Sequence, residues 1–316
     1  MPHASWKSIL VPIRDLGARK QVALRKAAHI AAACGARITL FHSFSMPLPL
    51  PTPMPSDPNE LLRIATKRRR EKLLGLARRL RARGLRVQCE VVWDVHAAHA
   101  IVRHVLHSKP DLVVAESHRH SPLARWFLAY ADWDLIRECP CPVWFVKHER
   151  LARDPMILTA IDPTHARAKP SRLDDRLLQA AASVQRQLGG SVAVVHVEDV
   201  GQVVRPRSPT NAEPTRASRS RAVTRETIAR LAKRNGIDAA APVLRSGIPA
   251  DVLVASSTEL EADLLVMGAV SRGGLSHYRV GNTAEAVIEG VTCDVLVVKP
   301  RQFRTSVSRT YPKLAT

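Results

Sequence analysis

Asp111-Leu-Val-Val114 and Asp263-Leu-Leu-Val266 stand 152 positions apart, and so do Cys141-Pro-Val-Trp-Phe-Val-Lys147 and Cys293-Asp-Val-Leu-Val-Val-Lys299. Leu135-Ile136 and Val287-Ile288 keep the same offset, with no gap between the three pairs. Further upstream, Ile9-Leu10 matches Ile157-Leu158 and His42 matches His196, with small differences in length between them. The 316-residue chain is therefore two copies of one unit, expected to span residues 1–150 and 151–316. The join falls in the polar stretch His148–Asp154, and residues from 301 onward read as an extended tail.

Each copy alternates short β-branched runs with stretches of helical period. Copy one reads as strands at Ser8–Ile13, Arg37–His42, Arg86–Trp93, Asp111–Ala115 and Val143–Val146. Its helices are expected at Gly17–Ala33, Asn59–Arg83, Val95–His107 and Tyr130–Glu138. Copy two repeats the order, with strands at Met156–Ile161, Ser191–Val197, Ala239–Leu244, Asp263–Met267 and Asp294–Val298. The apolar runs are continuous rather than alternating, as in strands buried on both faces of a parallel sheet. The fold class is thus α/β: two tandem, doubly wound, five-stranded parallel-sheet domains with right-handed crossovers. Pro-rich Phe44–Pro58 and Val200–Pro214 occupy equivalent places and read as surface loops.

Composition sets the classes. No apolar run approaches the ~20 residues of a membrane-spanning helix, and Met1–Ser8 has no signal-peptide core, so a cytoplasmic protein with no membrane partner is expected. Five cysteines form no disulfide framework, and Cys139-Pro-Cys141 has neither redox nor zinc spacing. Forty-eight Lys and Arg against 28 Asp and Glu give a net charge of +20. Such an excess can mark a nucleic-acid partner, but aromatics are only 4%, too few for a base-stacking platform. His96, His99, His104 and His107 share one helix. Their pairs at i,i+3 lie too far apart to converge on one ion, so they read as exposed polar residues and no metal is expected.

An open parallel sheet takes ligands beyond the carboxyl ends of its strands, at the switch in strand order. In copy two the first strand ends in Ile161-Asp162-Pro163, and a carboxylate there can accept from a nucleoside amine or hydroxyl or simply make a turn. The fourth ends in Gly268 and leads through Arg272, Gly273, Gly274 and Arg279 to Gly281-Asn282-Thr283-Ala-Glu285. Glycines let backbone N–H groups approach phosphate, and Asn282 or Thr283 can cap a helix whose N-terminus favours an anion. No Ser-His-Asp order, GxSxG elbow or P-loop lysine is present, so no catalytic residue is assigned.

The run Gly268-x-x-Ser271-x9-Gly281-Asn282 resembles the nucleotide signature of the universal stress protein family, in which Gly, two residues, Gly, nine residues, Gly precede Ser or Thr. Ser271 stands for the second glycine and Asn282 for the hydroxyl residue. Ala131–Lys147, Val91-Val-Trp93 and Gly281–Glu285 resemble the tandem-domain subtype of that family. The resemblance implies an adenine-nucleotide alpha-hydrolase-like fold. It also implies an adenosine held by Asp162 and by backbone at Val197, with ribose and phosphates held by Gly268, Ser271, Gly281, Asn282 and Thr283. ATP or ADP, or another small anionic ligand, is then the expected ligand of copy two. None is expected in copy one, where Arg14 replaces the aspartate, Glu116 replaces the first glycine and His118-Arg119-His120 lies in a glycine-free loop. Arg14 and Glu116 are expected to pair and close that pocket. The resemblance further implies that the last strands of the copies, Val143–Val146 and Val295–Val298, meet in an internal pseudo-dimer. The functional expectation is a non-catalytic stress-response protein acting on an unidentified protein partner. The alternatives are a slow ATP hydrolase and a basic nucleic-acid binder.

Overall fold

A computed structural model describes residues 6–45, 58–117, 125–149, 152–165, 172–199, 213–237, 242–269 and 282–312, with backbone only at some element ends. The chain forms two compact units. One comprises residues 152–303, and the other residues 5–151 together with the segment from Arg304 onward. Both are α/β units with all-parallel sheets. No helix among the described residues is long and apolar enough to cross a membrane.

The first unit contains β1 (Ser8–Pro12), α1 (Val22–Cys34), β2 (Arg37–Phe44), α2 (Pro58–Arg81) and β3 (Val87–Trp93), followed by α3 (Ala97–Ser108), β4 (Leu112–Glu116), α4 (Arg125–Glu138) and β5 (Val143–Val146). Parallel pairing gives the order β3-β2-β1-β4-β5. Residues Ile9 to Val11, Leu112 to Ala115 and Val143 to Val146 are buried without alternation, as expected of strands covered on both faces. The first helix begins at Val22, five residues later than its periodicity predicts. Asp15 explains this: its Oδ1 accepts the Gly17 N–H at 2.7 Å, a local turn that competes with helix initiation.

Histidine packing distinguishes this unit. His42 is buried, and its Nδ1 lies 2.7 Å from the Ile13 carbonyl, which fixes the proton on that nitrogen. His104 packs against Phe41 with centroids 4.8 Å apart. His107 sends Nε2 to the Arg309 carbonyl at 2.9 Å and stacks on Tyr311. His104, expected to be exposed, is therefore half-buried and structural, whereas His107 is exposed as expected and yet anchors the Arg309 segment. They bind sequence-distant partners that helical period alone does not reveal. Glu138 at the end of α4 accepts from Thr305 Oγ1, Ser306 N–H and Ser306 Oγ at 2.7–2.9 Å, which pins the same segment.

Burial holds the pKa values of His29, His42 and His104 below the ordinary histidine value. The folded unit thus binds these protons less readily than the unfolded chain. The stabilisation is complete above about pH 6.5 and is lost as pH falls through the lower folded values. The urea midpoint of the first unit is expected to drop between about pH 7 and pH 5. A midpoint that stays level over that range contradicts the assignment.

The second unit contains β6 (Met156–Ala160), α5 (Leu173–Leu188), β7 (Ser191–Asp199), α6 (Glu213–Arg234) and β8 (Val243–Gly247), then α7 (Pro249–Glu259), β9 (Leu264–Gly268), α8 (Asn282–Gly290) and β10 (Asp294–Val298). The order is β8-β7-β6-β9-β10, again all parallel. The expected strand Ala239–Leu244 is placed later, at Val243–Gly247, and residues 238–241 lie outside the described residues. Most of the two Pro-rich segments, 46–57 and 200–212, also lies outside them.

Candidate functional site

The switch in strand order of the second unit lies between β6 and β9. β6 pairs with β9 through Thr159 and Val266, and with β7 through Ala160 and Val195. Continuing both registers by two or three residues brings Val197, Asp162 and Ala269 level across three neighbouring strands. The observed pairing ends at Thr159 and Ala160; only its continuation would set Asp162 and Val197, two residues singled out from sequence, side by side at the switch point, one residue beyond the level of Gly268. Thr283 is exposed in the first turn of α8. Asn282 opens that helix, and its side chain is outside the described residues, as are Ser271, Gly281 and the basic and glycine positions between them.

Asp162 is held without being sealed. Its side chain is 17% exposed, and Oδ1 accepts from Thr164 Oγ1 at 2.8 Å. Its backbone N–H donates to Asp174 Oδ1 at 3.2 Å, which ties the end of β6 to the first turn of α5. His196 lies beneath, 1% exposed, with Nδ1 3.2 Å from the Ile161 carbonyl and 3.8 Å from Asp162 Oδ1. The carbonyl only accepts, so Nδ1 carries the proton there. His196 Nε2 is buried without a hydrogen-bond partner among the described residues. A carboxylate so placed offers acceptor sites to a ligand hydroxyl or amine.

The β9 end is braced from below. Lys299 is 1% exposed, and its Nζ donates to the Ala269 carbonyl at 2.8 Å while lying 4.6 Å from the Phe303 ring centre. Arg176 of α5 donates to the Lys299 carbonyl. Gly268 has a packing reason of its own: a Cβ there would sit 3.1 Å from Leu173 Cδ2. Its missing side chain gives α5 room to pack closely. Sequence reasoning noted Lys299 and His196 only as repeat matches to Lys147 and His42. The available signal was a polar residue retained at the same place in two otherwise apolar strands.

The equivalent place in the first unit is built differently. Arg14, after β1, forms its ion pair with Asp132 of α4, not with Glu116 as expected. Asp132 is the more deeply buried carboxylate, and burying it without a cation would be costly, which draws the guanidinium to α4. The pair still puts a guanidinium and a carboxylate where the second unit keeps Asp162. The loop 118–124 lies outside the described residues.

Comparison with known proteins agrees with this duplicated geometry. The profile of the Universal stress protein family matches residues 5–147 and again 156–299. Universal stress protein E of Salmonella typhi is 27% identical over 315 residues, covering 96% of this chain and 98% of its own length. Universal stress protein E of Escherichia coli K12 is likewise 27% identical, over 96% and 97%. Among solved structures, a functionally unknown protein from Pseudomonas aeruginosa PAO1 superposes with TM-score 0.69 at 24% identity, over 94% of each chain. A universal stress protein from Archaeoglobus fulgidus gives 0.64 at 18% identity, over 95% of this chain and 97% of its own. With a match in each repeat and tandem relatives along its whole length, the chain belongs to the universal stress protein family.

Proposed function

We propose that the second unit binds a nucleotide, ATP or ADP, or another small anionic ligand beyond the carboxyl ends of β6, β7 and β9, and that the protein acts without catalysis. Occupancy would shift its conformational ensemble towards a form that a protein partner recognises. The observation that supports the reading is that β7, β6 and β9 run parallel up to the switch point, with Asp162 two residues past β6, its Oδ1 accepting from Thr164 Oγ1 at 2.8 Å and its side chain 17% exposed. Asp162 would accept from the ribose or base. The segment after β9 would supply backbone N–H groups to phosphate, and Lys299 would hold its first carbonyl in place. The first unit, with Arg14 bound to Asp132, is read as empty of nucleotide.

Calorimetric titration of the full chain with ATP and with ADP tests this. Saturable binding is expected, weakened about tenfold or more in Asp162→Ala, as the loss of a charged hydrogen bond implies. Absence of heat at millimolar ligand removes nucleotide. Phosphate release that is proportional to protein and lost in Asp162→Ala would replace the non-catalytic reading with a slow hydrolase.

A further inference from the structure

The +20 charge is not spread evenly. α2 carries nine Lys and Arg against two Glu, whereas an even spread of 48 over 316 residues would give a 24-residue helix about four. The helix in the same place in the second unit, α6, carries seven against two. Each follows the second strand of its repeat. Arginine-rich composition alone would not choose that place twice.

On α2, Arg63 reaches Glu60 at 4.0 Å and Arg81 donates to the Val87 carbonyl, while most of the other charges face solvent. The apolar face, Leu73, Ala77 and Leu80, is buried against the sheet. One exposed row reads Arg63, Lys67, Arg70, Arg78 and Arg81, interrupted at Leu74, in steps of three and four residues. It runs about 27 Å along the helix. A second row, Arg68, Lys72, Arg79 and Arg83, runs down the other flank. Lys67, Arg68, Lys72, Arg78, Arg79 and Arg83 are exposed and make no ion pair among the described residues. Beyond the helix, Arg83 lines a cavity of about 310 Å³ with Arg25 and His29, but Arg25 is paired to Glu149, so the unpaired cationic surface ends at Arg83.

We propose that the exposed face of α2 is a docking surface for duplex DNA, read through phosphates rather than bases. A helix is 10–12 Å across and the major groove of B-DNA about 12 Å wide, so two cationic flanks face phosphates on the two rims of one groove. Guanidinium groups suit bidentate phosphate contacts. A single strand would need stacking surfaces, and among the described residues the large exposed apolar side chains are Ile64, Val95, Val223 and Ile248, none aromatic. A membrane would need the apolar face of α2, which the sheet already covers. α6 repeats the device more weakly: Arg225, Arg230 and Lys233 are exposed, while Arg221 and Arg234 are paired to Glu198 and Asp175.

The test is fluorescence anisotropy of the full chain with a mixed-sequence 30-base-pair duplex at about 50 to 200 mM salt. Affinity should fall steeply with salt and be equal for a scrambled duplex. Lys67→Gln/Arg70→Gln/Arg78→Gln should lose about tenfold or more and flatten the log–log salt slope by about two to three, near 0.9 per lost phosphate contact. Lys72→Gln/Arg79→Gln/Arg83→Gln on the other row should do the same. Arg19→Gln/Arg153→Gln/Arg301→Gln, with the same charge change on exposed sites elsewhere, should stay within about twofold if the helix, not net charge, binds. Circular dichroism confirms that each variant is folded. Equal loss in the scattered variant overturns the proposal. So does tighter binding of single-stranded DNA, of polyglutamate or of anionic vesicles. Asp162→Ala should leave duplex affinity unchanged, which keeps this test separate from the nucleotide site.

Discussion

Gly190→Ala is expected to lower the stability of the second unit by about 3 kcal/mol or more. Gly190 stands between α5 and β7 at φ +90°, in the left-handed region. A Cβ there would lie 2.1 Å from the Pro155 carbonyl oxygen and 2.6 Å from Pro155 N. Both are backbone atoms, so no rotamer change relieves the clash. The same carbonyl accepts the Ser191 N–H at 3.1 Å, the bond that starts β7 alongside β6. Relief therefore requires β7 to withdraw from β6, which also disturbs the level of Val197 with Asp162. Gly84→Ala is the control: its φ is +80°, but nothing lies within 4 Å of the added carbon. Only the conformational cost remains there, about 1–2 kcal/mol. Urea unfolding, with hydrogen exchange to assign each loss to its unit, separates the two. Equal losses at both glycines would show that the contact with Pro155 is not what excludes a side chain.

The duplication makes much of this fold legible in the amino-acid sequence. An offset held over three motifs locates most strands of the second unit once those of the first are recognised, β8 excepted, and unbroken apolar runs such as Leu112–Ala115 have few other uses than a doubly covered sheet. The placing of Asp162 beside the β9 end follows from the same logic, because strand order in such sheets decides which strand ends become neighbours. What stays hidden depends on side-chain direction across long separations. Arg14 and Glu116 both sit at strand ends, and nothing local says that α4 turns Asp132 inwards to take the guanidinium first. His104 and His107 share a helix with His96 and His99, yet their partners are Phe41 and the segment around Arg309. Gly268 reads as a phosphate glycine, and its neighbour Leu173 gives it a packing role that spacing cannot disclose.

The two repeats show how one scaffold can diverge at a single level. Each keeps the histidine of its second strand bonded to the carbonyl after its first, His42 to Ile13 and His196 to Ile161. That bond holds the strand ends in both units and says nothing about a ligand. Divergence lies one residue further on. Arg14 is drawn into an internal ion pair, whereas Asp162 accepts from a neighbouring hydroxyl and stays 17% exposed. A retained framework with altered strand-end chemistry is what distinguishes the two units at this level.

Arg103→Met is expected to cost the first unit about 3–5 kcal/mol, the penalty for stripping a buried charge of its partner. Asp94 is 1% exposed and Arg103 12%. The Asp94 carboxylate accepts the His96 N–H at 3.0 Å through Oδ1 and takes the Arg103 guanidinium through Oδ2, which joins the end of β3 to the middle of α3. Solvent cannot replace that cation at such depth, and methionine preserves the stem's packing while removing the charge. Burial, then the nearby Asp94 charge, pushes the Tyr311 hydroxyl up to about 12, which places Tyr311 close to the Asp94–Arg103 pair. Tyr311 should loosen with it, and hydrogen exchange across residues 304–312 should quicken in the variant. Adding Asp94→Asn should restore most of the lost stability, because the double variant leaves no charge buried without a counterpart. An Arg103→Met protein within about 1 kcal/mol of wild type would mean that Asp94 carries no buried charge. A double variant no more stable than the single would place the loss in α3 packing instead.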